Sequence, residues 1–168
     1  MLRKFALSLG IVVCVTLAGC APAPQSDGPT AAKEVSKRAI LFPNYPQAGR
    51  TYLSFSSAHG FQVNYLGQGG ASKLWYPGNR AVLDEEYKRD VIGGTQVLCW
   101  RHGGNTYNPV TKKRGGNFAC MPLDLSRKTI VAELAGDPFK LTTGALPYRL
   151  NRCVAPAEFT FDRNRFGC

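Results

Sequence analysis

Between residues 53 and 134 the apolar side chains recur at every second position, which is the period of a β-strand with one buried face. Turn-forming segments separate these stretches, among them "SSAHG", Pro77-Gly78-Asn79 and Gly136-Asp137-Pro138. The alternating positions are Leu53 and Phe55; Phe61, Val63 and Tyr65; Leu74 and Tyr76; Val97 and Cys99 against Leu98 and Trp100; Phe118 and Cys120; and Ile130, Ala132 and Leu134. The pattern predicts a mostly β domain with an antiparallel sheet, either a small barrel or a sandwich.

The segment Arg80–Ile92, "RAVLDEEYKRDVI", is the one stretch with some helical character, and its charges fit equally well on the outer face of a strand. It contains three neighbouring carboxylates, Asp84, Glu85 and Glu86. A pair of carboxylates can hydrolyse a glycosidic bond, but adjacent residues of a strand point to opposite faces. A run of mixed charges is typical of a solvated surface, and no nucleophile-elbow, phosphate-loop or zinc-protease motif occurs elsewhere. The sequence therefore predicts that the protein is not an enzyme. An enzyme of envelope glycans that uses Glu85, Glu86 and aromatic residues remains an alternative.

The first twenty residues differ in character from the rest of the chain. Arg3 and Lys4 precede an apolar run from Phe5 to Ala18, which has the length of the apolar core of a secretory signal and is short for a transmembrane helix. The run ends in Leu17-Ala18-Gly19-Cys20, which resembles the lipobox of bacterial lipoproteins. The resemblance implies cleavage before Cys20, a thioether-linked lipid on its sulfur and an acyl chain on its new amino group. Ala21 follows where many inner-membrane lipoproteins carry Asp, so the resemblance implies an outer-membrane anchor that faces the periplasm.

Residues 21–38, "APAPQSDGPTAAKEVSKR", contain three prolines and no large apolar residue besides Val35. Such a segment buries too little surface to offset the entropy lost on ordering. The sequence therefore predicts three parts. These are a signal peptide at residues 1–19, a lipidated cysteine with a flexible tether at residues 20–38, and one β-rich domain at residues 39–168.

Six cysteines occur, at positions 14, 20, 99, 120, 153 and 168. Cleavage would remove the first and lipidation would occupy the second. This leaves Cys99, Cys120, Cys153 and Cys168 for two disulfides in an oxidising periplasm. Three pairings are open, and we favour Cys99 with Cys120 and Cys153 with Cys168, because Cys99 ends one predicted strand and Cys120 begins another.

The spacing Cys99-x2-His102, followed by Cys120, also fits part of a zinc site, but a fourth ligand is missing and periplasmic thiols usually oxidise. The second histidine, His59, lies in the predicted turn "SSAHG", where we expect a solvent-exposed imidazole. The sequence predicts neither a metal nor a cofactor.

The chain is basic, with 21 Lys and Arg against 11 Asp and Glu. Removal of Arg3 and Lys4 with the signal would leave 19 against 11, a net charge of +8. We predict anion-binding residues at Lys112, Lys113 and Arg114 and at Arg127 and Lys128; further basic residues are Arg149, Arg152, Arg163 and Arg165. An exported domain meets lipopolysaccharide phosphates, phospholipid head groups and peptidoglycan carboxylates rather than nucleic acid, so we expect those partners and no nucleic acid. A generically basic surface with no specific ligand is the alternative.

The segment "YLSFSSAHGFQVNYL" is similar to the opening hairpin of small lipidated lysozyme-inhibitor β-barrels, although the chain lacks their Ser-Gly-containing inhibitory motif followed by Tyr. This resemblance implies a periplasmic inhibitor of a lysozyme-like enzyme. The main expectation is a lipid-anchored envelope protein with a binding or envelope-maintenance role. Trp75, Tyr76, Trp100 and Tyr107 would either stack on sugar rings or pack in the core.

Overall fold

A computed structural model of the 168-residue chain describes residues 28–76 and 79–167. The two α-helices are α1 (Gly28–Ser36) and α2 (Leu123–Thr129). The strands are β1 (Arg50–Ser56), β2 (Gly60–Leu66), β3 (Ala71–Trp75), β4 (Leu83–Ile92), β5 (Thr95–His102), β6 (Tyr107–Asn108), β7 (Lys113–Arg114), β8 (Ala119–Pro122) and β9 (Ile130–Ala135). Short 3₁₀ turns lie at Gln68–Gly70, Leu141–Thr143 and Arg163–Arg165.

Seven strands form one antiparallel sheet in the order β8-β5-β4-β3-β2-β1-β9, which curls into a half-barrel. Strands β1 to β5 follow one another as a meander, β8 pairs beside β5 and β9 returns beside β1. Strands β6 and β7 form a separate two-stranded hairpin. The prediction of a mostly β fold with an antiparallel sheet is confirmed.

One face of the sheet packs against the chain that follows β9, residues 136–167, which we call the C-terminal segment. Leu53 and Phe55 of β1, and Phe61 and Val63 of β2, are all buried there, as their alternation predicts. Trp75 packs edge-on against Phe139 of the C-terminal segment, with ring centroids 5.4 Å apart. The buried members of this cluster are Leu53, Phe55, Phe61, Val63, Trp75, Val131, Ala132, Phe139, Leu141, Ala155 and Phe159.

The C-terminal segment also approaches the β1–β2 hairpin through its backbone. Arg152 O accepts a hydrogen bond from Phe61 N at 3.0 Å, and the side chain of Arg152 donates to Ser57 O at 3.0 Å. Gly60, with φ of +75°, lies so close that an added Cβ would stand 2.3 Å from Arg152 O. The predicted hairpin turn is confirmed, with Ser56 opposite Gly60, and it is covered by this segment.

The opposite face packs against α2 and the segment that precedes β1. Its core consists of Tyr45, Tyr52, Leu66, Leu98, Leu123 and Ile130, with Phe42, Tyr87 and Trp100 at the margin. The rings of Tyr45 and Tyr52 meet edge-to-face with centroids 4.7 Å apart. Of the four aromatic residues that we considered for stacking on sugars, Trp75 and Trp100 serve the two cores, whereas Tyr107 is 52% exposed.

The expected tether is corrected over its described part. Residues 28–36 form helix α1, and Ala31 and Val35, one helical turn apart, are both buried. Lys128 of α2 donates to Ser36 O at 2.6 Å, which ties the two helices together. Residues 28–38 therefore belong to the fold, and the boundary at residue 39 is wrong. Residues 1–27, with the signal and Cys20, lie outside the described residues.

The segment with helical character is a strand, because β4 covers Leu83–Ile92 and pairs with both β3 and β5. Helix α2, by contrast, has no counterpart in the sequence expectations; it carries the predicted anion-binding residues Arg127 and Lys128. The turn after Tyr76 includes Pro77 and Gly78, which lie outside the described residues.

Cys99 and Cys120 stand opposite each other in β5 and β8 and form a disulfide, as expected. Cys153 is disulfide-bonded as well. Because Cys168 lies outside the described residues, its pairing with Cys153 stays a prediction. Within residues 28–76 and 79–167, no helix has the length and apolar character needed to cross a membrane.

Candidate functional site

A cleft of about 290 Å³ opens where β4 begins and β5 ends. Both strands and the loop that follows β5 contribute to its walls. The lining residues are Asp84, Glu85, Glu86, Arg101, His102, Gly103, Gly104 and Gly116.

Glu85 is the buried residue of this cleft, with a side chain that is 1% exposed. It stands opposite His102 in the β4–β5 pairing, and its Oε1 contacts His102 Nδ1. Asn64 of β2 donates to Glu85 Oε2 from its Nδ2 at 3.0 Å. The expectation that this part of the charged run is solvated surface is therefore wrong for Glu85. The carboxylate avoids an isolated buried charge because an imidazole and an amide both reach it.

The pKa values of this pair both move upward. Burial raises the pKa of the Glu85 carboxyl, against the opposing effect of the hydrogen bonds from His102 and Asn64. The hydrogen bond and charge of Glu85 raise the pKa of His102, although partial burial of the ring opposes that shift. The folded pair therefore holds a proton more firmly than either group does in an unfolded chain.

The two other carboxylates at the cleft have their own cationic partners. Asp84 pairs with Lys73 of β3, and Glu86 pairs with Arg101 of β5. Both carboxylates are exposed, at 84% and 54% of their side-chain surface. They therefore form the solvated rim, and for these two residues the structure agrees with the expected surface position.

The other histidine, His59, lies in the β1–β2 turn but is half-buried, so the expectation of a freely exposed imidazole is wrong. Its Nδ1 is 3.3 Å from Ser56 Oγ, and its Nε2 is 3.2 Å from Asn108 Nδ2. Burial lowers the pKa of His59, and the positive charges of Arg152 and His102 act in the same direction. Both ring nitrogens of His59 are thus engaged inside the protein.

The loop after β5 is held tightly at one end of the cleft. Gly116 N donates to His102 O at 2.9 Å, and Thr106 N donates to Gly103 O at 3.0 Å. At Gly115 an added Cβ would stand 2.1 Å from Gly103 O, so a larger residue would push the two parts of the loop apart. This close approach places the β6–β7 hairpin beside the cleft.

Lys112, Lys113 and Arg114 lie on that hairpin, and all three are exposed. Within residues 28–76 and 79–167, none of their side chains makes an ion pair or hydrogen bond. Asn108 holds the turn, because its Oδ1 accepts from Val110 N at 2.9 Å and from Thr111 N at 3.1 Å. We call residues 107–114 the cationic hairpin.

The second predicted anion-binding pair has internal partners. Arg127 donates to Tyr45 O at 3.2 Å and to Asp124 Oδ1 at 3.0 Å. Lys128 donates to Ser36 O, as described above. These contacts join α2 to the segment before β1 and to α1. The α2 cations are thus engaged within the protein, whereas the three cations of the cationic hairpin face solvent.

The partial zinc pattern is resolved by the disulfide, since Cys99 and Cys120 are bonded to each other and offer no thiolate to a metal. Across the described ranges, no group of three or more His, Cys, Asp and Glu side chains has a metal-binding arrangement. His102 instead takes Glu85 as its partner.

Comparisons with known proteins give no relative. No protein-family model, curated protein or solved structure matches this chain.

Proposed function

We propose that this chain is a lipid-anchored bacterial envelope lipoprotein whose β domain binds anionic envelope polymers without catalysing a reaction. The anchor is the diacylated Cys20 of the lipobox, in the outer membrane and facing the periplasm. Two acyl signals hold a protein stably at a bilayer, whereas a single chain of myristoyl length binds only marginally. After cleavage the net charge would be +8, from 19 Lys and Arg against 11 Asp and Glu, which suits a surface rich in phosphate and carboxylate.

The observation that carries this proposal is the cationic hairpin. Its three adjacent cations are exposed, and no carboxylate neutralises them within the described part of the chain. A short two-stranded ladder and the Asn108 side chain hold the turn, so little order has to be gained when the hairpin meets a ligand. Arg127 and Lys128 are less suited to this role, because they already bind internal oxygens.

The binding test compares two triple variants of equal charge. Lys112→Gln, Lys113→Gln and Arg114→Gln together neutralise the hairpin. Lys33→Gln, Lys37→Gln and Arg149→Gln remove three exposed cations elsewhere. A cation near an anionic lipid surface contributes about 1 kcal/mol, so the hairpin variant should bind lipopolysaccharide vesicles up to about a hundredfold more weakly.

The control triple should stay close to wild type, and binding by wild type should fall as salt shortens the Debye length from about 10 Å to about 3 Å. Equal losses in the two triples would show that net charge alone attracts the domain. Binding that ignores salt would contradict an electrostatic site altogether.

The anchor is tested separately with Cys20→Ala. Palmitate labelling should mark the wild type and not the variant, and the variant should leave the membrane fraction or remain an uncleaved precursor. An unlabelled wild type would refute the lipoprotein assignment and leave the test of the hairpin unaffected.

A further inference from the structure

The chain has two histidines, and their ring nitrogens are used differently. Both nitrogens of His59 lie within hydrogen-bond distance of protein side chains. His102 has Glu85 at Nδ1, and its Nε2 has no partner anywhere in residues 28–76 and 79–167. The His102 side chain is 38% exposed and lines the cleft. One imidazole is therefore internal, and the other has a nitrogen available to a ligand.

Glu85 determines which form of His102 the cleft presents. A carboxylate in contact with Nδ1 keeps the ring proton on that nitrogen, so the neutral ring carries its lone pair on Nε2. Glu85 is itself held by burial and by Asn64, which fixes the orientation of both groups. At pH values where the ring is neutral, His102 Nε2 is a fixed hydrogen-bond acceptor.

The charges around the cleft restrict what can bind there. An anion would have to displace Asp84 or Glu86 from Lys73 or Arg101, and Glu85 adds a third carboxylate to the walls. A cation would have to displace Lys73 or Arg101 from the rim carboxylates. Gly104 N–H, a donor on the cleft wall, has no partner within the described residues. A neutral ligand that both donates and accepts hydrogen bonds fits this set.

We propose that the cleft is a binding site for a neutral hydroxylated ligand with the chemistry of a sugar, and that His102 Nε2 accepts a hydrogen bond from one of its hydroxyl groups. Glu85 is a positioning residue that acts through His102. The volume of about 290 Å³ is at the small end of ligand-binding pockets, which begin near 300 Å³, so the site holds one small unit of a ligand. This site is distinct from the cationic hairpin and needs no anionic group on its ligand.

The presence of only two histidines makes a direct test possible. Long-range ¹H–¹⁵N NMR of the folded domain resolves the tautomer of each ring. The N-acetylglucosamine trimer, a neutral probe, should shift the His102 ring signals and leave those of His59 unchanged, whereas inorganic phosphate should leave the His102 signals unchanged. Such a response should persist at high salt, because it does not depend on exposed charge pairs.

Variants then separate binding from structure. His102→Ala should weaken binding of the trimer at least tenfold, whereas His59→Gln should leave it close to wild type. Glu85→Gln should release the ring, so that both His102 tautomers appear and the affinity for the trimer falls. Glu85→Asp keeps a carboxylate and should restore part of the tautomer preference and part of the affinity. The hairpin triple variant should bind the trimer as wild type does.

Several results would overturn this site. They are an unperturbed His102 at millimolar trimer, undiminished binding in His102→Ala, or a response to phosphate in place of the trimer. None of these depends on the hairpin, whose failure would show as equal losses in its two triple variants.

Discussion

Removal of the Cys99–Cys120 disulfide should destabilise the whole domain and not strand β8 alone. The bond links residues 21 positions apart, and constraining an unfolded loop of that length is worth about 3 kcal/mol at 25 °C. Strand β8 lies at the edge of the sheet and is exposed along its length, and a strand held there by the bond alone would fray once the bond is gone. Helix α2 follows it directly, however, and Leu123 at the start of that helix is buried in the core. This second attachment keeps β8 in place, and the cost therefore falls on global unfolding.

The assay is urea unfolding of the Cys99→Ala/Cys120→Ala variant, with tryptophan fluorescence as the signal that monitors unfolding. A reducing agent is unsuitable, because it would also open the disulfide at Cys153. We expect a loss of about 3 kcal/mol, a larger m-value because the unfolded chain without the crosslink exposes more surface, and a melting temperature lower by about 10 °C. Hydrogen exchange at the amides of residues 119–121 locates the effect.

A loss below about 1 kcal/mol, together with fast exchange confined to the amides of residues 119–121, would refute the reasoning. Such a result would mean that β8 detaches by itself and that α2 does not hold it. A matched control is Cys120→Ala, which removes the crosslink from the exposed end and leaves the buried Cys99 sulfur in place.

Three further predictions concern the backbone, an internal cation and pH. Gly60→Ala should lower the free energy of unfolding in urea by at least about 2 kcal/mol, since the new Cβ meets a backbone carbonyl oxygen. The control Gly49→Ala has a similar φ of +78° but open space around it, and should cost only about 1 kcal/mol. Equal costs would show that the backbone moves to relieve the close approach at Gly60. Arg163→Met should lose about 2 kcal/mol, because its guanidinium donates to three carbonyl oxygens at 2.8–3.1 Å, and an unchanged unfolding midpoint would contradict that role. Folding raises the pKa of both Glu85 and His102, so wild type loses stability relative to the Glu85→Gln variant as pH rises. The difference between their free energies of unfolding should fall through and above the ordinary pKa values of 4.5 and 6.5. His59, whose pKa is lowered, contributes equally to wild type and variant, so its effect cancels in this comparison. A stability difference between the two proteins that does not change with pH would show that the folded pair does not hold its proton more firmly.

The pairing of Glu85 with His102 could have been predicted from the sequence. Gly93 and Gly94 form the two-residue turn between β4 and β5, and both have positive φ, at +58° and +78°. Gly-Gly between two strands is a known hairpin signal, and a turn centred there places Glu85 opposite His102. The charges of the segment alone indicated solvated surface, whereas its register indicates a carboxylate–imidazole pair. Neither feature indicates that Asn64, two strands away, closes over the carboxylate.

The sequence by itself determined strands β1, β2, β3, β5, β8 and β9 and the β1–β2 hairpin, and it favoured the Cys99–Cys120 disulfide. Alternation is a local consequence of the β-strand period, so Leu53, Phe55, Phe61 and Val63 identify their buried face without knowledge of their partners. Only the tertiary structure decided that α1 is part of the fold, because Ala31 and Val35 are buried by contacts with elements far along the chain. The same holds for Glu85: a carboxylate becomes a buried group only where distant residues replace its water, and those residues come together through the order of the strands.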